Sequence, residues 1–153
     1  LFSEGDSMIV HDYLKAVKDT GLLAGVSAHN PDVIKQIADK GWEVDFFMTC
    51  FYYLTRTINM QDPVATLPTG SYIFYKNDPD EMTRVIRQVK QPCLAFKILG
   101  AGRLCSSQET VKKAFQYAFS NIKPSDGVIV GMFPWSFDEI SADSQFVKEP
   151  GQR

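Results

Sequence analysis

The sequence predicts an α/β fold of four parallel β/α units, a pattern that by itself fits half of a TIM-type barrel and a small doubly wound, flavodoxin-like sheet about equally. Three observations lead there. Apolar runs of strand length alternate with segments of helical periodicity in the order α-β-α-β-α-β-α-β-α, and such alternation means parallel strands joined by right-handed crossovers. No low-complexity stretch or linker interrupts it, so residues 1–153 read as a single domain. A chain of 153 residues with 44% hydrophobic content can build one real core. A whole barrel needs about 250 residues, so four units make half of one and the chain becomes a candidate fragment of a longer barrel.

Each element has its own warrant. Ser7–Thr20 places Ile9, Val10, Tyr13, Leu14 and Val17 on one helical face, and Gly21 stops the helix. Leu22–Ser27 is a short apolar run, hence a strand. Asn30-Pro31-Asp32 then supplies an N-cap, a proline at the first helical position and an acid in the first turn. The helix Pro31–Lys40 turns Val33, Ile34, Ile37 and Ala38 inward, and Gly41 ends it. Val44–Phe51 is the second strand, followed by a polar connection, Thr55–Lys76, far longer than the usual 2–6 or so residues and of the kind that forms lids. Asp78-Pro79 opens a helix carrying Met82, Val85, Ile86 and Val89, and Pro92 halts it. Cys93–Leu99 is the third strand. Ser107–Asn121 is the strongest helix, with Val111, Ala114, Phe115, Ala118, Phe119 and Ile122. Asp126-Gly127 turns into the fourth strand, Val128–Met132, and Ser136–Val147 offers a last, weaker helix.

The remaining totals exclude more than they assign. A formal charge of −2 gives no electrostatic footprint for nucleic acid or an anionic membrane. The longest apolar runs are strand-sized, well below the roughly 20 residues of a membrane span. The N-terminal LFSEGDSMIVHD lacks the basic start and apolar stretch of a signal peptide, and a start at Leu1 leaves room for an upstream segment. Cys50, Cys93 and Cys105 have no C-x-x-C spacing and read as reduced thiols, which favours a cytoplasmic setting and no metal site.

Three segments together resemble the aldo/keto reductase family. GLLAGVSAHNPDVIKQIADKGWEVDFFM is similar to that barrel's fifth strand, its helix and the sixth strand; PCLAFKILGAGR resembles the seventh strand with its glycine-rich end; AFSNIKPSDGVIVGM resembles the helix leading into the eighth. The resemblance covers Tyr13 to Ile140 in order; it favours the half-barrel over the doubly wound sheet and implies strands five to eight, the C-terminal half of an oxidoreductase barrel using NADP. Half a barrel exposes two sheet edges and its inner face, so a second copy of the chain or a missing upstream half is expected as partner.

Several residues stand where chemistry is expected, at the C-terminal ends of strands. In Cys93–Leu99, bulky Leu94, Phe96 and Ile98 are expected to face the helices, which turns Cys93, Ala95 and Lys97 into the barrel. Lys97 then reads as a Schiff-base nucleophile, as a cation for a substrate anion, or as one side of an internal ion pair with Asp45. Gly100-Ala101-Gly102-Arg103 offers glycine amides and a guanidinium to a small anionic or phosphorylated ligand, with Gly131 at the end of the fourth strand, or else forms a plain turn. Ser27, His29 and Asn30 cluster at the end of the first strand; His29 is an acid/base candidate or a partner of Asn30 in capping. His11 reads as a surface residue, and Cys50, Tyr52, Tyr53 and Arg56 as a pocket beneath the long connection. No Ser-His-Asp order, H-E-x-x-H, P-loop or dinucleotide fingerprint appears.

The resemblance maps onto these positions only in part. The family's catalytic Asp, Tyr, Lys and His belong to the first half of the barrel, and no position here corresponds to them. Its nicotinamide carboxamide is held by a Ser-Asn pair and a Gln; Ser27 matches, but Ala28 and Met48 stand in place of Asn and Gln. Gly100, Gly102 and Gly131 match the phosphate-binding end. Three functions therefore compete: an aldo/keto reductase-like barrel portion inactive as this chain alone, a lysine-dependent lyase or aldolase acting on a sugar or sugar phosphate, and a non-enzymatic assembly module.

Overall fold

The computed structural model describes residues 4–54 and 73–148. Its elements are α1 (Glu4–Lys18), β1 (Gly25–Ala28), α2 (Pro31–Asp39), β2 (Phe46–Cys50), α3 (Asp78–Gln88), β3 (Cys93–Phe96), α4 (Gln108–Asn121), β4 (Gly127–Ile129) and α5 (Glu139–Lys148). All strand pairs are parallel, and the sheet order is β1-β2-β3-β4. A doubly wound sheet needs a point at which strand order reverses. This order has none, so the flavodoxin-like alternative is not the topology of the described sheet. With right-handed crossovers, sequential order puts α2, α3 and α4 on one side.

Local chemistry explains most of the boundaries. Asn30 caps α2 by accepting the Asp32 amide at 2.9 Å, and Ser107 caps α4 by accepting the Thr110 amide at 3.2 Å. Ahead of α3 it is Asp78, not Asn77, that gathers amides: its buried carboxylate accepts from Tyr53 and Tyr75. The strands are shorter than their apolar runs. β3 stops at Phe96 because Lys97 adopts φ 58°, left-handed backbone that no strand continues through.

Register fixes which side chains share a face. Val26, Phe47, Cys93 and one further row, Ala28-Thr49-Ala95-Val128, point toward the helices. Phe47, Thr49, Cys93 and Ala95 are wholly buried there. Ser27-Met48-Leu94-Gly127 and Cys50-Phe96-Ile129 point the other way. The expected orientation of the third strand is therefore inverted: Cys93 and Ala95 face the helices, and Leu94 and Phe96 lie half-exposed on the open face. Small residues let α3 and α4 approach the sheet, while bulky ones lie on the face that none of the described helices covers. The ring of Phe46 on the neighbouring strand lies over Gly25, and a Cβ there would push that half-exposed ring aside.

The N-terminal end of the sheet is tied by two carboxylates. Asp45, just before β2, accepts Lys18 Nζ at 2.8 Å and the Ala24 amide at 2.6 Å. Asp126, just before β4, accepts the amides of Cys93 at 2.8 Å and Lys123 at 2.7 Å, with Lys123 Nζ 3.1 Å away. Asp45 is thus no partner for Lys97; the two sit at opposite ends of the sheet. Among the described residues no helix is long and apolar enough to cross a membrane.

Candidate functional site at the C-terminal end of the sheet

Lys97 would have entered the helix-facing row had the strand continued, because it shares parity with Cys93 and Ala95. A buried ammonium there would lack a partner. The positive φ re-aims it instead, and its Nζ lies 3.3 Å from His29 Nε2. His29 follows β1 at the level of Cys50 and meets the edge of the Phe96 ring at 5.5 Å. The amine therefore reaches across the end of β2. Burial, and after it the positive charge of Lys97, lowers the His29 pKa below its ordinary 6.5. A neutral imidazole 3.3 Å from the Lys97 nitrogen can accept a hydrogen bond from it. His29 does not share the capping of α2, which Asn30 performs alone.

The thiol between these two groups is inert. Cys50 is fully buried, and burial pushes its pKa up to about 11, as it does for Cys93. The cysteines are all free.

The glycine-rich loop after β3 folds mainly onto itself. The amides of Gly100, Arg103, Leu104 and Cys105 bond to the carbonyls of Lys97, Gly100, Leu99 and Gly102. The Arg103 guanidinium donates to the Gly100 carbonyl at 3.1 Å and stacks on the Phe74 ring at 3.8 Å, and Tyr52 stacks against the same ring at 4.6 Å. Tyr52 lines a hollow of about 360 Å³ between the end of β2, α3 and α4, but Cys50 and Tyr53 do not. Arg56 and most of the Thr55–Lys76 connection lie outside the described residues. His11 is a partly exposed surface residue of α1 that packs against Trp42, ring centroids 4.9 Å apart.

A larger cleft of about 520 Å³ opens where β3 and β4 end, between the glycine-rich loop and α5. Gly102 and Gly131 line it, as does the Lys97 residue, but Arg103 does not. Two acids that sequence reasoning missed line it as well, Glu139 and Asp143, one turn apart on α5. Glu139 accepts the Phe133 amide. Asp143 is buried, and burial followed by the charge of Glu139 raises its pKa. Their i,i+4 spacing was visible in the sequence, but nothing there placed them beside the ends of β3 and β4.

These residues do not fit a phosphorylated dinucleotide. The charged groups that the cleft would offer its phosphates include the carboxylates of Glu139 and Asp143, the nearest guanidinium is engaged by Phe74 and the Gly100 carbonyl, and Ala28 and Met48 offer no amide side chain. Among the described residues no group of three or more His, Cys, Asp or Glu is placed to hold a metal ion. No family model, curated protein or solved structure matches the chain.

Proposed function

We propose that the chain is the C-terminal half of an aldo/keto reductase-like (β/α)8 barrel, supplying one wall and the mouth of its site without the family's catalytic residues. One observation supports this reading: among the described residues the sheet has no cover on one face or on either flank. Phe46, Met48, Leu94 and Phe96 are half-exposed on that face. Leu22 and Leu23 are exposed beside β1, as are Phe133 and Trp135 beyond β4. In a closed barrel the face becomes the packed interior, and the edges of β1 and β4 pair with the missing strands. A second copy of this chain or an upstream half would close it. Light scattering of the purified chain is expected to give a dimer or larger species rather than the 17.2 kDa of a monomer. A monodisperse monomer that keeps its sheet refutes the half-barrel. NADPH fluorescence is expected to stay unchanged on titration with the chain alone.

The Lys97–His29 contact favours a second reading, lysine-dependent carbonyl chemistry of the lyase or aldolase class. The Lys97 nitrogen adds as the free amine to a substrate carbonyl carbon, and His29 takes the proton released as the C–N bond forms and returns it to the hydroxyl. The carbonyl oxygen leaves as water carrying both amine protons when the imine forms. Strained backbone at Lys97 suits a functional position. Borohydride added with glyceraldehyde or its phosphate is expected to leave a reduced adduct on Lys97 in peptide mass spectra, ahead of the other lysines. An unmodified Lys97 removes this reading.

A further inference from the structure

Asp143 is an anomaly that neither reading uses. It is 5% exposed, lines the 520 Å³ cleft, and makes no hydrogen bond or ion pair with the described residues. Buried carboxyl groups are nearly always bonded, and one left alone in a cavity wall marks a place where a ligand completes the set. The cleft has the position expected of a site, outside the carboxyl ends of β3 and β4.

Its lining states what the ligand is. Ile98, Leu99, Val111, Met132 and Phe137 make most of the wall apolar. The charged groups converging on it are Asp143 and Glu139. Lys97 contributes to the wall, but its ammonium is turned to His29. A phosphate would meet carboxylates here, whereas an ammonium would meet two acids and an apolar chamber. Cys105 adds a thiol whose pKa is raised by burial and then by these same two acids, a sign of how negative the corner is.

We propose that this cleft binds a small amphiphilic cation, a compact apolar or aromatic body bearing a protonated amine that bonds to Asp143 with Glu139 alongside. Glu139 already holds the Phe133 amide, so the segment after β4 that forms the rim is tied to the same acid pair.

Calorimetry on the full chain tests it, with phenethylamine as the cation, 2-phenylethanol as its uncharged counterpart and inorganic phosphate as the anion. Saturable binding of phenethylamine is expected, with 2-phenylethanol at least about tenfold weaker, the size of one charge-assisted hydrogen bond. Asp143→Asn is expected to lose a similar factor. Gly131→Leu is a second variant: Gly131 lines the cleft and an added Cβ there meets no atom within 4 Å, so binding is expected to weaken while the circular dichroism spectrum stays unchanged. No saturable heat with phenethylamine overturns the proposal. Equal affinity for 2-phenylethanol, wild-type affinity in both variants, or preferential uptake of phosphate does the same.

Discussion

Thr49 offers the sharpest test of how the sheet is packed. It lies in the helix-facing row between Ala28 and Ala95, it is wholly buried, and its hydroxyl has no hydrogen-bond partner among the described residues. A buried hydroxyl left unpaired costs about 1–3 kcal/mol. Thr49→Val replaces that hydroxyl by a methyl of nearly the same shape, and valine is at least as good a strand former. The substitution is therefore expected to stabilise the chain by about 1–2 kcal/mol. For a chain near 150 residues each kcal/mol moves Tm by roughly 2–4 °C, so a rise of about 2–8 °C is expected. Thr49→Ser supplies the opposite control: it keeps the unpaired hydroxyl and deletes a buried methyl, for a loss of about 1 kcal/mol. Urea melts read both. If Thr49→Val destabilises while Thr49→Ser is neutral, the hydroxyl has a partner and the assigned row orientation is wrong.

Three further outcomes follow from the two ends of the sheet. Because His29 has a lowered pKa in the fold, the unfolded chain binds a proton near pH 6.5 before the native state does. Its contribution is therefore complete above that pH and declines as pH falls through 6.5 toward the lower folded value; urea midpoints should drop more steeply over this range in the wild type than in His29→Gln. Asp126→Ala removes a carboxylate held by two amides and Lys123, and is expected to lower stability by about 3 kcal/mol in equilibrium unfolding. In the loop after β3, Gly100 sits at φ 60°, where an added Cβ would lie 3.3 Å from that of Arg103, whereas Gly102 at φ 87° has open space. Gly100→Ala should thus cost about 1–2 kcal/mol and exceed Gly102→Ala in the same melts.

What could be read from the sequence was local. Asn30-Pro31-Asp32 marks the start of α2 within three residues, and the spacing of Val111, Ala114, Phe115 and Ala118 gives the buried face of α4 directly. That the strands run parallel followed from alternation and handedness; their order did not, because the same alternation fits a doubly wound sheet. The facing of β3 did not, because CLAFKIL is apolar on both faces and a period of two carries no sign when neither face is polar. Size was a poor substitute: bulky Leu94 and Phe96 cover the open face, and Cys93 and Ala95 make room for helices. The partner of Lys97 was equally out of reach. Asp45 is on a neighbouring strand but at the wrong end, while His29 is two strands away and meets the amine only because the backbone turns at position 97. Asp143 belonged to the weakest helical segment, and its burial depends on where the chain after β4 returns to the sheet.

The two ends of the sheet divide their work in a way that has a physical cause. Before β2 and β4, Asp45 and Asp126 each accept a backbone amide and a lysine, so the acceptors that would be costly to desolvate are already matched. Past the other ends, matching is incomplete: His29 and Lys97 have each other, and Asp143 has nothing among the described residues. Parallel strands force this asymmetry, since the crossovers return every chain segment to the same end and leave the longer, more variable loops at the other. Among the described residues the two sets share no hydrogen-bond partner. Substitutions at opposite ends, such as Asp126→Ala with His29→Gln, should therefore add in stability, and coupling between them would mean that the sheet transmits strain along its strands.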